Sequence, residues 1–175
     1  MEFQLEPYIR SIPDFPKPGI VFRDVTTLFK DPSAMTEAVR RLAAPYREKG
    51  IEKVVCIESR GFVLGAALAV ELHAGFIPVR KAGKLPAAVH REEYSLEYGT
   101  DVVEMHQDAL RPGERVLLHD DLLATGGTMS AAIRLVERSE GVIEGISFLI
   151  ELDFLNGRPR LAPYTPISLI HYAAE

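Results

Sequence analysis

The stretch Arg115-Val-Leu-Leu-His-Asp-Asp-Leu-Leu-Ala-Thr-Gly-Gly-Thr128 decides how the rest of the chain is read. Val116 to Leu118 form a short apolar run behind the turn signal Pro112-Gly113, the signature of a buried strand. Asp120 and Asp121 fall where that strand is expected to end. Ala124-Thr125-Gly126-Gly127-Thr128 follows, small and hydroxyl-rich, and leads into Met129, Ala132, Ile133 and Val136, whose spacing marks one face of a helix. Strand, acidic pair, glycine loop and helix in this order are how a doubly wound α/β sheet builds a phosphate site.

Glycines let backbone amides approach a ligand closely, and the first helical turn offers unpaired N–H groups with a partial positive charge. Thr125 and Thr128 add hydroxyl donors, so the loop suits a phosphate monoester. It lacks the lysine of a Walker loop, which disfavours a nucleoside triphosphate. Two carboxylates touching a phosphate would repel it. Asp120 and Asp121 are therefore expected to accept from sugar hydroxyls, or to sit near a magnesium ion held mainly by substrate oxygens rather than directly by the protein. A ribose 5-phosphate meets this description.

Length and composition bound the answer. With 175 residues, 47% hydrophobic and 26% charged, the chain predicts a single domain with a sizeable core. Its net charge of -5 argues against a general nucleic-acid binder. Cys56 is the only cysteine, set in the apolar run Val54-Val55-Cys56-Ile57, so a buried thiol in a reducing cytoplasm is expected. No apolar run nears the roughly 18 residues of a membrane span, and neither export nor membrane association is expected.

Alternation of strands with helices predicts a mostly parallel sheet with right-handed crossovers. A short helix is expected over 2–11, and Ile12-Pro-Asp-Phe-Pro-Lys-Pro-Gly19 must be extended. A strand over 20–25 follows. Asp31-Pro32 is an N-cap with proline at the first helical position, starting a helix that Lys49-Gly50 closes, with Pro45 disturbing its last turn. Strands are expected over 53–57, 75–79, 102–106, 115–120, 143–150 and 167–172, and helices over 62–73 and from Met129 to about Ser139. From Lys81 to Thr100 the pattern stops, and a long polar stretch in a compact domain is expected to serve function as a lid. One domain therefore spans 1–175, with an N-terminal segment over 1–30, a mobile lid over 81–106 and the phosphate motif over 116–128.

The layout of apolar run, acidic pair and T-G-G-T resembles the type I phosphoribosyltransferases. Glu58-Ser59-Arg60-Gly61 lies between a strand and a helix, where Arg60 would clamp a pyrophosphate bidentately. It is similar to the pyrophosphate loop of the adenine-specific branch, with Glu58 where many members have aspartate. The resemblance also places Arg80 and Lys84 on the pyrophosphate. Tyr94-Ser-Leu-Glu97-Tyr98-Gly99 resembles the family's lid segment, which implies that Glu97 exchanges a proton with the purine N7 and that Tyr98 caps the site. Phe15-Pro-Lys-Pro-Gly-Ile-Val-Phe-Arg-Asp24 resembles the segment that reads adenine. By that likeness the Val21 carbonyl accepts from the 6-amino group, the Arg23 amide donates to N1 and Phe22 stacks on the ring.

The resemblance implies an enzyme that transfers the phosphoribosyl group of 5-phosphoribosyl 1-pyrophosphate to adenine, giving AMP and pyrophosphate with magnesium. Glu97, Arg60 and Lys84 would be its catalytic residues, and a homodimer its expected state. A transferase for another purine, xanthine or hypoxanthine, and a non-catalytic nucleotide-sensing regulator are the alternatives. The regulator would need a DNA-binding segment, for which this chain shows no basic helix. His119 should alternate away from Asp120 on its strand and is expected to be structural. His73, His106 and His171 have no metal-ligand spacing.

Overall fold

Alternate residues of Lys53–Ile57 (β3) bury on opposite sides of one sheet, and that two-sided burial organises the core. The protein's structure, a computed structural model, describes residues 3–95 and 99–174. Its larger sheet has seven strands. In chain order they are β3, Gly75–Lys81 (β4), Val89–Ser95 (β5), Thr100–His106 (β6), Arg115–Leu123 (β7), Val142–Leu152 (β8) and Ile167–Tyr172 (β9), and in space they run β5-β6-β4-β3-β7-β8-β9. The five from β4 to β9 are parallel, while β6 and β5 join antiparallel at one edge. The mostly parallel α/β architecture read from the sequence is the one observed.

Helices cover both faces. On one, Val54, Cys56 and Leu117 pack with Ala38 and Leu42 of Pro32–Ala43 (α2) and Leu64 and Leu68 of Gly61–Glu71 (α3). On the other, Val55, Ile57, Val116 and Leu118 pack with Met129, Ala132, Ile133 and Val136 of Gly127–Arg138 (α4). Asp31 caps α2 as expected, its Oδ1 accepting from the amides of Ser33 at 3.0 Å and Ala34 at 2.9 Å, an arrangement worth about 1 kcal/mol. The helix stops at Ala43, earlier than Lys49, because Pro45 supplies no amide and tightens Ala44–Tyr46 into a 3-10 turn. Pro78 sits inside β4 without breaking it. The strand pairs with β6 only at Arg80 and Lys81, so the missing N–H leaves no ladder bond unmade.

Other elements also differ from expectation. The helix over 2–11 is a 3-10 turn, Glu6–Tyr8, followed by Arg10–Ile12 (β1), which pairs antiparallel with Phe22–Asp24 (β2) and is tied to it by the Arg10–Asp24 ion pair. A four-residue helix, Thr26–Phe29 (α1), was not expected at all. The patternless stretch before Thr100 contains β5, which forms a hairpin ladder with β6. Arg134 and Arg138 of α4 hold that hairpin through Glu92, at 2.9 and 2.8 Å.

Candidate active site

The chain goes from β3 through α3 to β4 on one side, and β7 lies on the other side of β3. The carboxyl ends of β3 and β7 are therefore neighbours at the point where strand order reverses, where open α/β sheets bind ligands. Two loops that the sequence separates by about sixty residues meet there. β7 does not end at the acidic pair as expected. It continues to Leu123 because β8 goes on pairing with it, Leu123 facing Glu151. Pairing with β3 stops at His119, so Asp120 and Asp121 lie beyond the last ladder partner on that side, and both wall a cavity of about 420 Å³.

Phe22, Glu58, Ser59, Arg60 and Thr128 also line this cavity. Arg60 spans it, with Nε 2.8 Å from Asp121 Oδ2 and its guanidinium carbon 5.0 Å from the centre of the Phe22 ring. Gly61 makes this approach possible, since a Cβ there would stand 2.6 Å from Asp120 Oδ1. Nη1 of Arg60 and Nε of Arg80 are buried donors without a hydrogen-bond partner, which suits an anion. The Glu58–Ser59 peptide is cis. Burial and the charge of Asp121 push the Asp120 carboxyl well above the usual carboxylate range, and burial also raises Asp121 against the pull of Arg60.

Beside the cavity is a smaller recess of about 80 Å³, bounded by Ala124, Thr125, Gly126, Gly127 and Thr128 with Met129 and Phe148. Gly126 has φ 80° and precedes the first residue of α4, so the loop turns sharply into a helix N-terminus, as the sequence reading requires. Thr128 lines both spaces.

Other expected residues fall less simply. Glu58 is an acceptor, 3.2 Å from Arg80 Nη2 and 2.8 Å from Lys84 Nζ, and it also accepts from the Lys81 amide. These cations hold its carboxyl below the usual range despite burial. An anion so placed gathers the cations and does not itself bind another anion. Val21 and Arg23 flank Phe22, and the Arg23 guanidinium lies 3.8 Å from the Tyr172 ring centre. Glu97 and Tyr98 lie outside the described residues. His119 is buried and structural, with Nδ1 3.0 Å from Ser147 Oγ.

Sequence reasoning did not select Lys81, Tyr94 or Val103 as cavity residues, although all three line it. For Tyr94 and Val103 the signal was available only as the alternation of β5 and β6, which the charged residues between them obscure, while Lys81 is the last residue of β4. Among the described residues one further cluster, Glu151, Asp153 and His171, has metal-ligand spacing. Arg158 occupies both oxygens of Glu151, so the cluster is an ion-pair network.

Comparison with known proteins agrees with this geometry. A family model described as the phosphoribosyl transferase domain matches residues 26–146. An adenine phosphoribosyltransferase of Gloeobacter violaceus is 55% identical over 170 residues, 96% of this chain and 99% of that protein. The crystal structure of an adenine phosphoribosyltransferase from Thermoanaerobacter pseudethanolicus superposes with TM-score 0.93 at 49% identity, covering 96% of this chain and 98% of that one. A Saccharomyces cerevisiae adenine phosphoribosyltransferase, solved with an imino-altritol bisphosphate and adenine, superposes with TM-score 0.89 at 38% identity over 94% of this chain and 96% of its own.

Proposed function

This chain belongs to the phosphoribosyltransferase family, among the adenine phosphoribosyltransferases, and from that premise we propose how its residues carry the reaction. It transfers the phosphoribosyl group of 5-phosphoribosyl 1-pyrophosphate to adenine, giving AMP and pyrophosphate, a purine salvage reaction. The observation that carries the assignment of roles is the juxtaposition of a phosphate-sized recess at a helix N-terminus with a cavity walled by an acidic pair, an arginine and an aromatic ring.

In this reading Ala124 to Thr128 take the 5′-phosphate, and Asp120 and Asp121 accept from the ribose diol. As the bond from the anomeric carbon to pyrophosphate lengthens, positive charge grows on the sugar and negative charge on the leaving group. Arg60, Arg80 and Lys84 stabilise that leaving group, with the unpartnered nitrogens of Arg60 and Arg80 as the support. Ser59 lies beside Arg60 on the cavity wall, and Glu58, also on that wall, keeps Arg80 and Lys84 together just outside it. Adenine would stack on Phe22, with the Val21 carbonyl and Arg23 amide reading its edge. Glu97 would exchange the purine proton, and Tyr98 would cover the site so that water does not capture the sugar.

The donor set suits a magnesium ion near Asp120 and Asp121. Their carboxyls are held high by burial, and Asp121 Oδ2 has Arg60 nearby but no aligned hydrogen bond, so a divalent cation on the ligand would relieve the pair. When bound, it offsets charge on pyrophosphate while remaining coordinated mainly by substrate oxygens. We also propose a homodimer, supported by α3, which is apolar all round yet leaves Val63 41% and Val70 76% exposed. A cytoplasmic setting accords with Cys56, a buried free thiol.

The test is turnover on adenine against hypoxanthine and xanthine at fixed 5-phosphoribosyl 1-pyrophosphate. A 6-oxo purine reverses both polar contacts of the proposed edge reading, and mismatches of that kind can cost about four orders of magnitude in kcat/KM. Equal turnover on the three bases removes the proposed roles of Val21 and Arg23.

A further inference from the structure

Three carbonyl and amide groups of the phosphate loop and of a distant segment come closer than side chains would allow. A Cβ on Gly126 would meet the Gly157 carbonyl oxygen at 2.6 Å. A Cβ on Gly157 would meet the Ala124 carbonyl oxygen at 2.2 Å and the Gly126 nitrogen at 3.1 Å. Gly157 has φ −74°, so its backbone conformation is open to any residue, and glycine is required there by the approach of the loop alone. The loop of 124–128 thus rests against a backbone surface that begins about thirty residues later.

That surface is held by an ion pair whose carboxylate is buried and whose arginine is partly exposed. Glu151, 3% exposed, sits opposite Leu123 across the β7–β8 ladder, at the residue just before the loop starts. Arg158, the residue after Gly157, grips it with both arms of its guanidinium, Nε to Oε1 at 2.6 Å and Nη2 to Oε2 at 2.7 Å. Nη1 of Arg158 donates to the Pro166 carbonyl at 3.0 Å, and the Ser168 hydroxyl donates to Glu151 Oε2 at 2.6 Å. Leu161, fully buried in the core beneath α4, anchors the far end of the segment. Bidentate pairing fixes direction as well as distance, so Arg158 has little freedom to let Gly157 move. Neither Glu151 nor Arg158 lines the recess itself.

We propose that Glu151 and Arg158 are positioning residues that set the height of the phosphate loop, by pressing the Gly157 backbone against Ala124 and Gly126. The proposal rests on the assignment of 124–128 to the 5′-phosphate. Loop amides must be placed within a fraction of an ångström for the phosphate to be held, and a displacement of about 1 Å can cost a hundredfold. The pair therefore acts on binding of the sugar phosphate and leaves the base site alone.

The experiment measures kcat and both KM values for Glu151→Gln and Arg158→Lys, with calorimetric binding of ribose 5-phosphate as the direct readout. The expected result is a rise of about ten- to a hundredfold in KM for 5-phosphoribosyl 1-pyrophosphate and in the ribose 5-phosphate Kd. KM for adenine should stay within about twofold. Should either variant fail to fold, Ser168→Ala removes one bond to Glu151 and is expected to raise the same two constants by a smaller factor. Variants that lower the melting temperature but leave the sugar-phosphate constants unchanged, or raise both KM values equally, overturn the proposal. Thr125→Ala and Thr128→Ala separate the two levels: unchanged ribose 5-phosphate binding there removes the loop assignment itself, whereas weakened binding there with normal binding in Glu151→Gln removes only the buttress.

Discussion

Burial sets the chemistry of single residues at this site in opposite senses. It pushes the Asp120 carboxyl up, and it pushes His119, one residue earlier on the same strand, down to about 3 from an ordinary 6.5. Burial therefore favours the neutral imidazole of His119 in the folded protein well below the usual histidine range. Between about 3 and 6.5 the unfolded chain binds the extra proton, so this contribution to stability is complete above about 6.5 and is lost as pH falls toward 3. The raised carboxyls of Asp120 and Asp121 act against this trend, because there the folded state holds the proton. The difference between wild type and His119→Gln isolates the histidine. We expect the melting temperature of the variant to fall less steeply from pH 6.5 to 4.5 than that of wild type, and parallel curves would show that His119 contributes nothing to acid sensitivity. Simple alternation turned His119 away from Asp120, and the sequence marked 124 to 128 as the loop that bounds the recess at the start of α4. It did not foresee the ion pairs of Glu58, because a motif position does not reveal which neighbours a carboxylate will meet, and those neighbours, Arg80 and Lys84, come from another strand and the turn after it.

Among the elements, α3 is positioned by a contact that leaves no spare room. A Cβ on Gly65 would stand 2.1 Å from Cys56 Sγ and 3.0 Å from Cys56 Cβ, so helix and strand meet backbone to side chain. Gly65→Ala should cost about 1–3 kcal/mol through overpacking. Adding Cys56→Ala removes the sulfur that the new methyl strikes, and the double variant should be more stable than the sum of the single losses. Equilibrium denaturation of the four proteins checks this, with additive losses as the contrary result. The long helices were legible because their apolar faces recur at helical spacing. The strand β5 was not, since among its described side chains only Tyr94 is a buried apolar one, and what holds the strand is its ladder with β6 and the arginines of α4. The strand β1 was missed for a similar reason: what defines it is its ladder with β2, about ten residues on, and the Arg10–Asp24 pair across it.

For the whole molecule, the reversal of strand order between β4 and β7 creates the site, and α3 presents its remaining apolar face outward. If that face is the homodimer contact, Val70→Asp should shift sedimentation from dimer to monomer at micromolar concentration, because a buried unpaired carboxylate is costly. A wild-type protein that already sediments as a monomer, or a variant that stays dimeric, removes α3 from the contact. By itself the sequence determined the fold class and the family, and it marked the loop proposed for the phosphate, since each depends on periodicities and spacings within about thirty residues. Only the tertiary structure decided that Glu58 gathers cations, that Arg60 bridges Phe22 and Asp121, and that Gly157 supports Gly126. The physical reason is range: propensity and patterning act between neighbours along the chain, whereas these contacts exist only once the sheet has brought distant strand ends within a few ångströms.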